Sequence, residues 1–350
     1  MNPSSILVIS VARIGDTILL TPCLKAIKTR YPTAKLTVLA HPKRMEVLEN
    51  LEFIDHLAPI SKHQAMWRGW LPGKTYDTAL VYGRDIALVR YALRVAKAVV
   101  CFDEPELGRL KAKNLQKIQP PQTPTHAVEH RMMLAAALGV TDAKDKRLAM
   151  AFTNEELKWA EDFIVAQGLA GQHPLIGLQL FSFPAKAHRD WPQDSFIALA
   201  NKIKQIYPQS QFVILGDQLA AERAKLLISH FPDTLKIIAG QLTLRQSAAV
   251  MARLDLYVGV DTGPTHIAGA LGIPMVAMYH WKYPAANLRP LQNDECQSIE
   301  HPATSSPDAG FPQGMEAIAI DPVLAAALPL LERSGQRGGW ALAHETYDKC

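Results

Sequence analysis

Apolar residues fall into short continuous runs separated by amphipathic stretches, and this alternation repeats along the chain. Ile6–Val11 is an unbroken apolar run, the pattern of a strand buried on both faces of a parallel sheet. It leads through Ala-Arg-Ile-Gly-Asp (12–16) into a helical stretch to about Arg30, ended by Pro32. Further strands are predicted at Lys35–Ala40, Phe53–Leu57, Thr78–Tyr82 and Ala98–Phe102, with helices over 43–50 and 85–95. Segment 103–125 turns basic and then meets Pro120, Pro121 and Pro124, so a long surface loop is expected there. His126–Leu138 reads as a helix, and Thr153-x-x-Glu156 is a capping box that opens another, to about Gln167.

A domain boundary is expected in the Gly/Pro-bearing stretch Gly168–Pro174, because a second strand–helix series starts directly after it. Strands are predicted at Leu175–Leu180, Gln211–Leu215, Leu235–Ala239, Leu256–Val260 and Pro274–Tyr279. Helices are predicted after Asp194, which is expected to cap the first of them, and over 219–231, 244–253, 264–271 and 322–333. Segment 281–315 reads as irregular, and the Gly-rich tail 334–350 as loose. The predicted organisation is α/β: two Rossmann-like domains, residues 1–168 and 169–333, whose parallel sheets face each other across a cleft.

Composition narrows the class. Of 350 residues, 48% are hydrophobic and 20% charged, as in ordinary globular chains. No stretch approaches the ~18 apolar residues of a membrane span, and Ile6–Ala12, followed at once by Arg13 and Asp16, reads as a strand rather than a signal peptide. Cys23, Cys101, Cys296 and Cys350 are scattered without metal-ligand spacing, which suits buried or incidental thiols in a reducing cytoplasm. Residues 1–165 hold 23 Lys/Arg against 17 Asp/Glu, hence +6, and the remainder holds 14 against 16, hence −2. The basic first half is either a solvated face or a surface for an anionic partner.

Three stretches carry candidate chemistry. Asp16 opens a helix at the carboxyl end of the first strand, where it either caps the helix or acts as a general base. Asp261-Thr262-Gly263-Pro264-Thr265-His266 sits between an apolar strand and a helix whose free N–H groups form a ready anion site. There Thr262 and Thr265 are expected to donate hydroxyls, Gly263 to admit a phosphate closely, and Asp261 either to join the site or to satisfy local N–H groups. Lys186, His188 and Arg189, followed by Trp191-Pro192, are either solvated charges or cations that neutralise a leaving diphosphate. The first βα turn lacks Gly-x-Gly-x-x-Gly, and no Gly-x-x-x-x-Gly-Lys-Ser/Thr or cleft Asp-x-Asp is present. These absences argue against a dinucleotide, a triphosphate and a nucleotide-sugar-bound metal. His126-Ala-Val-Glu-His130 has no evident third ligand for zinc.

Residues 6–22, His126–His130, Arg189-Asp-Trp-Pro192 and 259–274, in this order, resemble the family 9 glycosyltransferases, which include ADP-heptose:lipopolysaccharide heptosyltransferases. The resemblance spans roughly residues 5–330. It implies a GT-B fold, with the acceptor on the first domain and the nucleotide sugar on the second. It also implies inverting transfer without metal or other cofactor. Asp16 matches the family's base, and Arg189 and Lys186 the charges that stabilise the leaving group. Asp261, Thr262, Gly263 and His266 match the donor diphosphate and sugar site, with the nucleoside expected at Gly216-Asp217. Arg13, His126, His130 and Arg131 match a region that meets a phosphorylated glycolipid acceptor. The implied location is the cytoplasm, with peripheral contact at the cytoplasmic face of the inner membrane and no nucleic-acid partner. Two positions depart from the family pattern. Arg189 stands where the family usually has Lys, and His280-Trp-Lys-Tyr-Pro284 replaces a Gly-Pro-Thr-Asp-Pro-like turn. The second departure leaves open a different donor, or a catalytically silent nucleotide- or glycan-binding protein of the same fold.

Overall fold

The computed structural model describes residues 2–70, 75–171, 173–306 and 310–336. Contacts within the chain divide it into two compact units, residues 1–151 and 152–350. In the first, strands β1 (Ser5–Ser10), β2 (Lys35–Ala40), β3 (His56–Pro59), β4 (Tyr76–Tyr82), β5 (Ala96–Phe102) and β6 (Leu115–Ile118) form one sheet in the order 3-2-1-4-5-6. In the second, β7 (Leu175–Gln179), β8 (Gln211–Ile214), β9 (Leu235–Ile237), β10 (Leu256–Val260), β11 (Met275–Tyr279) and β12 (Cys296–Glu300) form another, ordered 12-11-10-7-8-9. Counted within its own unit, the second order is the same as the first. Every pairing in both is parallel. This is the doubly wound dinucleotide-fold order, which reverses direction between β1 and β4 and again between β7 and β10.

The central strands form because they are apolar without alternation. Ile6, Leu7, Val8 and Ile9 are all fully buried, as helices on both faces of a parallel sheet require. The helices of the first unit are α1 (Ile14–Ile18), α2 (Thr21–Arg30), α3 (Lys62–Trp67), α4 (Ile86–Val95) and α5 (Ala127–Ala136). Those of the second are α6 (Asn154–Ala166), α7 (Gln193–Ile206), α8 (Gln218–Ile228), α9 (Leu244–Met251), α10 (Gly263–Leu271), α11 (Ala285–Leu288) and α12 (Ile320–Gln336). In the second core, Trp191 is fully buried, packs edge-on against Phe196 and donates its indole N–H to the Ile318 carbonyl at 2.9 Å. That anchor fixes the chain two residues after Arg189.

Several expectations are corrected. The helix expected from the first turn to Arg30 is two helices, α1 and α2, and 43–50 holds only a 3-10 turn at Met45–Leu48. The strand expected at Phe53–Leu57 lies at His56–Pro59. The loop expected over 103–125 contains edge strand β6, and the segment expected to be irregular over 281–315 contains α11 and edge strand β12. Pro192, not Asp194, is the N-cap of α7, with Asp194 in the first turn. The tail is helical as far as Gln336, while the loose tail expected over 337–350 lies outside the described residues.

The boundary falls after Ala151 instead of Gly168, and the reason is electrostatic. Helix α6 is tied to α9 and the residues beyond it. Glu156 accepts from Arg245 at 2.6 Å, Glu161 accepts from the buried Arg253 at 2.8 Å, and Arg245 lies 5.3 Å from the Phe152 ring centroid. The capping box at Thr153 and Glu156 forms as expected, both halves present. A fragment starting at residue 152 should therefore unfold cooperatively in urea, whereas one starting at residue 169 should unfold at lower urea. Equal midpoints would place the boundary at Gly168 after all. The Arg245 hydrogen bonds also hold the Glu156 carboxyl below its ordinary value of 4.5. A carboxylate with a depressed folded pKa contributes stability above that ordinary value and loses it as pH falls through the lower, folded one. Stability of the 152 fragment should thus drop on acidification below about pH 4.5, and Glu156→Gln should flatten that dependence in urea titrations at successive pH values.

Candidate active site

In open parallel sheets, ligands bind beyond the carboxyl ends of the strands where strand order reverses. Both sets of sequence-identified residues lie at such places. In the first unit, α1 follows β1 directly, with Arg13 as its exposed N-cap. Asp16 lies in the first turn, its side chain about half exposed, and its Oδ1 accepts from Arg131 at 2.8 Å. Arg131 is also held by its own helix, donating to the Ala127 carbonyl at 2.7 Å. Its backbone carbonyl accepts from the Tyr82 hydroxyl at 3.0 Å, and that hydroxyl lies 3.0 Å from Cys23 Sγ. Residues from β4, α2 and α5 thus fix where Arg131 holds the Asp16 carboxylate. Burial pushes the Cys23 thiol up to about 12, so it serves packing rather than chemistry.

The two histidines have other uses. His126 is the N-cap of α5, its Nδ1 accepting from the Val128 N–H at 3.1 Å. His130 stacks on Phe102 with ring centroids 4.2 Å apart, and burial lowers its pKa. The fold therefore brings Asp16 and Arg131 together and turns the His130 ring onto β5. Beyond the carboxyl ends of β1 and β4, a cavity of about 350 Å³ is lined by Val11, Lys62, Gly83, Arg84, Asp85 and Glu106, among others. Lys62 and Asp85 pair across it at 2.8 Å. Sequence reasoning passed over Gly83-Arg84-Asp85, although its place directly after β4 marks it as the partner of the Arg13–Asp16 turn.

In the second unit, the buried Asp261 stands at the end of β10. Its Oδ2 accepts from Arg189 at 2.9 Å, and its Oδ1 lies 3.5 Å from His266 Nε2. Asp261 Oδ1, Arg189 Nε and His266 Nδ1 are all buried and have no hydrogen-bond partner within the described protein. Buried polar atoms usually have partners, so three without one on residues gathered at a helix start mark this place as a candidate site for a polar ligand. Gly263 heads α10 there. The threonine hydroxyls do not point outward as expected. Thr265 donates to the Val260 carbonyl at 2.6 Å and lies 2.9 Å from the Tyr257 hydroxyl, and Thr262 donates to Val260 at 3.2 Å. Both hydroxyls are used in building the junction. Gly259 is part of this: a Cβ there would lie 2.5 Å from the Tyr257 hydroxyl.

The loop after β7 carries the cations. Asp190 accepts from the Ser182 N–H at 2.6 Å and from Arg223 at 3.1 Å, and the Ser182 hydroxyl lies 2.7 Å from the Lys186 carbonyl. So braced, Arg189 faces Asp261 on one side and the Tyr283 ring on the other, 3.7 Å from its centroid, while Lys186 Nζ lies 5.5 Å from the same ring. Tyr283 was visible in the sequence only as part of a departure from the family turn. At the end of β8, Asp217 is the N-cap of α8, accepting from Ala220 at 3.0 Å. Gly216 has φ 134° and a Cβ would meet Ala220 at 2.7 Å, so both residues have a structural use in the turn. Among the described residues, no three His, Cys, Asp or Glu side chains gather as a metal-binding group.

Known proteins extend these observations. Residues 74–309 match the family described as glycosyltransferase family 9 (heptosyltransferase). The lipopolysaccharide core heptosyltransferase OpsX of Haemophilus influenzae is 25% identical over 297 residues, covering 81% of this chain and 80% of that protein. A glycosyltransferase family 9 structure from Veillonella parvula superimposes with a TM-score of 0.80 at 22% identity, covering 95% of this chain and 98% of that one. The E. coli ADP-heptose lipopolysaccharide heptosyltransferase II structure does so with a TM-score of 0.75 at 20% identity, covering 95% and 99%. The fold is that shared by these structures, two Rossmann-like α/β domains of the GT-B class. With the family matched over more than half of its length, the chain belongs to glycosyltransferase family 9 and is a glycosyltransferase.

Proposed function

We propose that the protein transfers a heptose from ADP-heptose to a lipopolysaccharide core acceptor, with inversion at the anomeric carbon and without a metal ion or other cofactor. The observation that carries this reading is the gathering of Arg189, Asp261 and His266 at the head of α10, with three buried polar atoms that lack partners among the described residues. Backbone N–H groups at a helix start, joined by a guanidinium and an ammonium, suit a diphosphate. The named activities of the Haemophilus and E. coli relatives support the sugar and the acceptor class.

In this reading the second unit takes the donor and the first takes the acceptor. Asp16, oriented by Arg131, accepts the proton of an acceptor hydroxyl as that oxygen forms its bond to the anomeric carbon. The bond from the anomeric carbon to the diphosphate oxygen breaks, and ADP leaves with the electron pair. Lys186, Arg189 and the N–H groups of α10 stabilise the charge that develops on it. The two side-chain cations thereby take over the neutralisation that a divalent ion supplies in metal-dependent transferases. Gly216 and Asp217 lie where the nucleoside is proposed to bind, at the end of β8, and Thr262 shapes the diphosphate site through the junction it closes. Arg13, His126, His130 and Arg131, with the exposed Arg109, Lys111 and Lys113, favour a phosphorylated glycolipid as acceptor. A nucleotide-sugar donor and a glycolipid acceptor support a location in the cytoplasm, at the cytoplasmic face of the inner membrane. No helix of the described residues is long and apolar enough to cross a membrane.

Asp16→Asn keeps the shape and the Arg131 contact but removes the base. It should lower the transfer rate by at least about a hundredfold while leaving the donor KM nearly unchanged, in assays containing excess chelator. An unchanged rate would remove Asp16 from the mechanism, and a rate abolished by chelator in the wild type would remove the metal-free reading.

A further inference from the structure

Two residues from separate loops of the second unit meet in space: Arg189, just before Trp191-Pro192, and Tyr283, just before Pro284 in the turn after β11. Arg189 and Tyr283 stack at 3.7 Å. The turn that presents Tyr283 is fixed at both ends. The buried His280 accepts from the Lys282 N–H at 3.1 Å through Nδ1, and from the Tyr283 N–H at 2.8 Å through its carbonyl. Beyond Pro284, the Ala285 N–H donates to Glu300 at 2.8 Å. His280 also packs edge-on against His188 at 5.3 Å, joining the turn to the loop that carries the cations. The ring is therefore presented by a braced turn to a braced loop. The neighbouring Arg189 and Lys186 cations lower the Tyr283 phenol pKa, which agrees with both lying against it.

We propose that Tyr283 is a positioning residue for the donor, holding the Arg189 guanidinium and Lys186 toward the diphosphate site without neutralising them. This rests on the donor reading above. A flat guanidinium can lie face-on against an aromatic ring, and the attraction strengthens where water is excluded. An aspartate in that place would also attract the two cations, but its charge would oppose an incoming diphosphate. The ring makes no such opposition. When a diphosphate competes with Asp261 for Arg189, the ion pair is exchanged while the ring contact stays.

The test is calorimetric titration of ADP and of inorganic pyrophosphate, in chelator, onto wild type, Tyr283→Leu, Tyr283→Phe, Arg189→Lys and the Arg189→Lys/Tyr283→Leu double variant, with thermal melts to confirm folding. Tyr283→Leu should weaken ADP about tenfold, and Tyr283→Phe, which keeps the ring, should recover to within about threefold of wild type. Because lysine lacks the flat face, Tyr283→Leu should cost less than about twofold when added to Arg189→Lys. Wild-type affinity in Tyr283→Leu, or the same loss with and without Arg189, overturns the positioning role and leaves the donor reading standing. Wild type binding neither ADP nor pyrophosphate overturns both. Should Tyr283→Leu melt early, Arg189→Lys in the intact ring decides: equal affinity to wild type overturns the role, and a severalfold loss supports it.

Discussion

A carboxylate buried at the mouth of a helix is stable only while a cation faces it, because removing a charge from water costs several kcal/mol unless it is paired. Asp261 is in that position, 4% exposed at the end of β10, and Arg189 is the cation. Much of the second unit serves to bring that guanidinium there. Trp191, locked in the core by its bond to Ile318, fixes the chain beyond it, and Asp190 with Ser182 closes the loop that contains it. Tyr283 holds its outer face. In the proposed reading, the start of α10 and Arg189 favour a diphosphate while Asp261 opposes one.

The first unit solves a simpler problem on the same plan. Its sheet reverses strand order at β1 and β4, so the turn bearing Asp16 projects beyond the carboxyl ends of the strands. Asp16 is about half exposed, so its pair with Arg131 contributes little stability, typically ~0–1 kcal/mol for exposed pairs. Its value lies in direction. Arg131 is bonded to its own helix and to Tyr82, and it holds one carboxylate oxygen in a fixed place. In the proposed mechanism, where Asp16 is the base, such orientation matters more than the strength of the pair.

The buried strands were legible in the sequence because strands covered on both faces read as continuous apolar runs. The two that were missed, β6 and β12, are the outermost strands of their sheets. Leu-Gln-Lys-Ile and Cys-Gln-Ser-Ile-Glu mix polar with apolar residues because one edge meets water, and the pattern then resembles a loop. The boundary was misplaced because Gly168–Pro174 looks like a linker locally, while the ion pairs that bind α6 to the second unit join residues some ninety positions apart.

Legibility of the site divides in the same way. The strand–turn–helix junctions at Asp16 and Asp261 were local and readable. Which hydroxyls face a ligand was not, because Thr262 and Thr265 are used by the carbonyl of Val260, a matter of rotamer and backbone path. The pairing of Arg189 with Tyr283 joins positions on two separate loops, each of which the sequence marked only as unusual. The most direct measurement is to incubate the protein with ADP-heptose and a heptose-free core acceptor in excess chelator and to assign the anomeric configuration of the product by NMR. The account predicts transfer with inversion. Retained configuration, or transfer from a uridine nucleotide sugar but not from ADP-heptose, would contradict it.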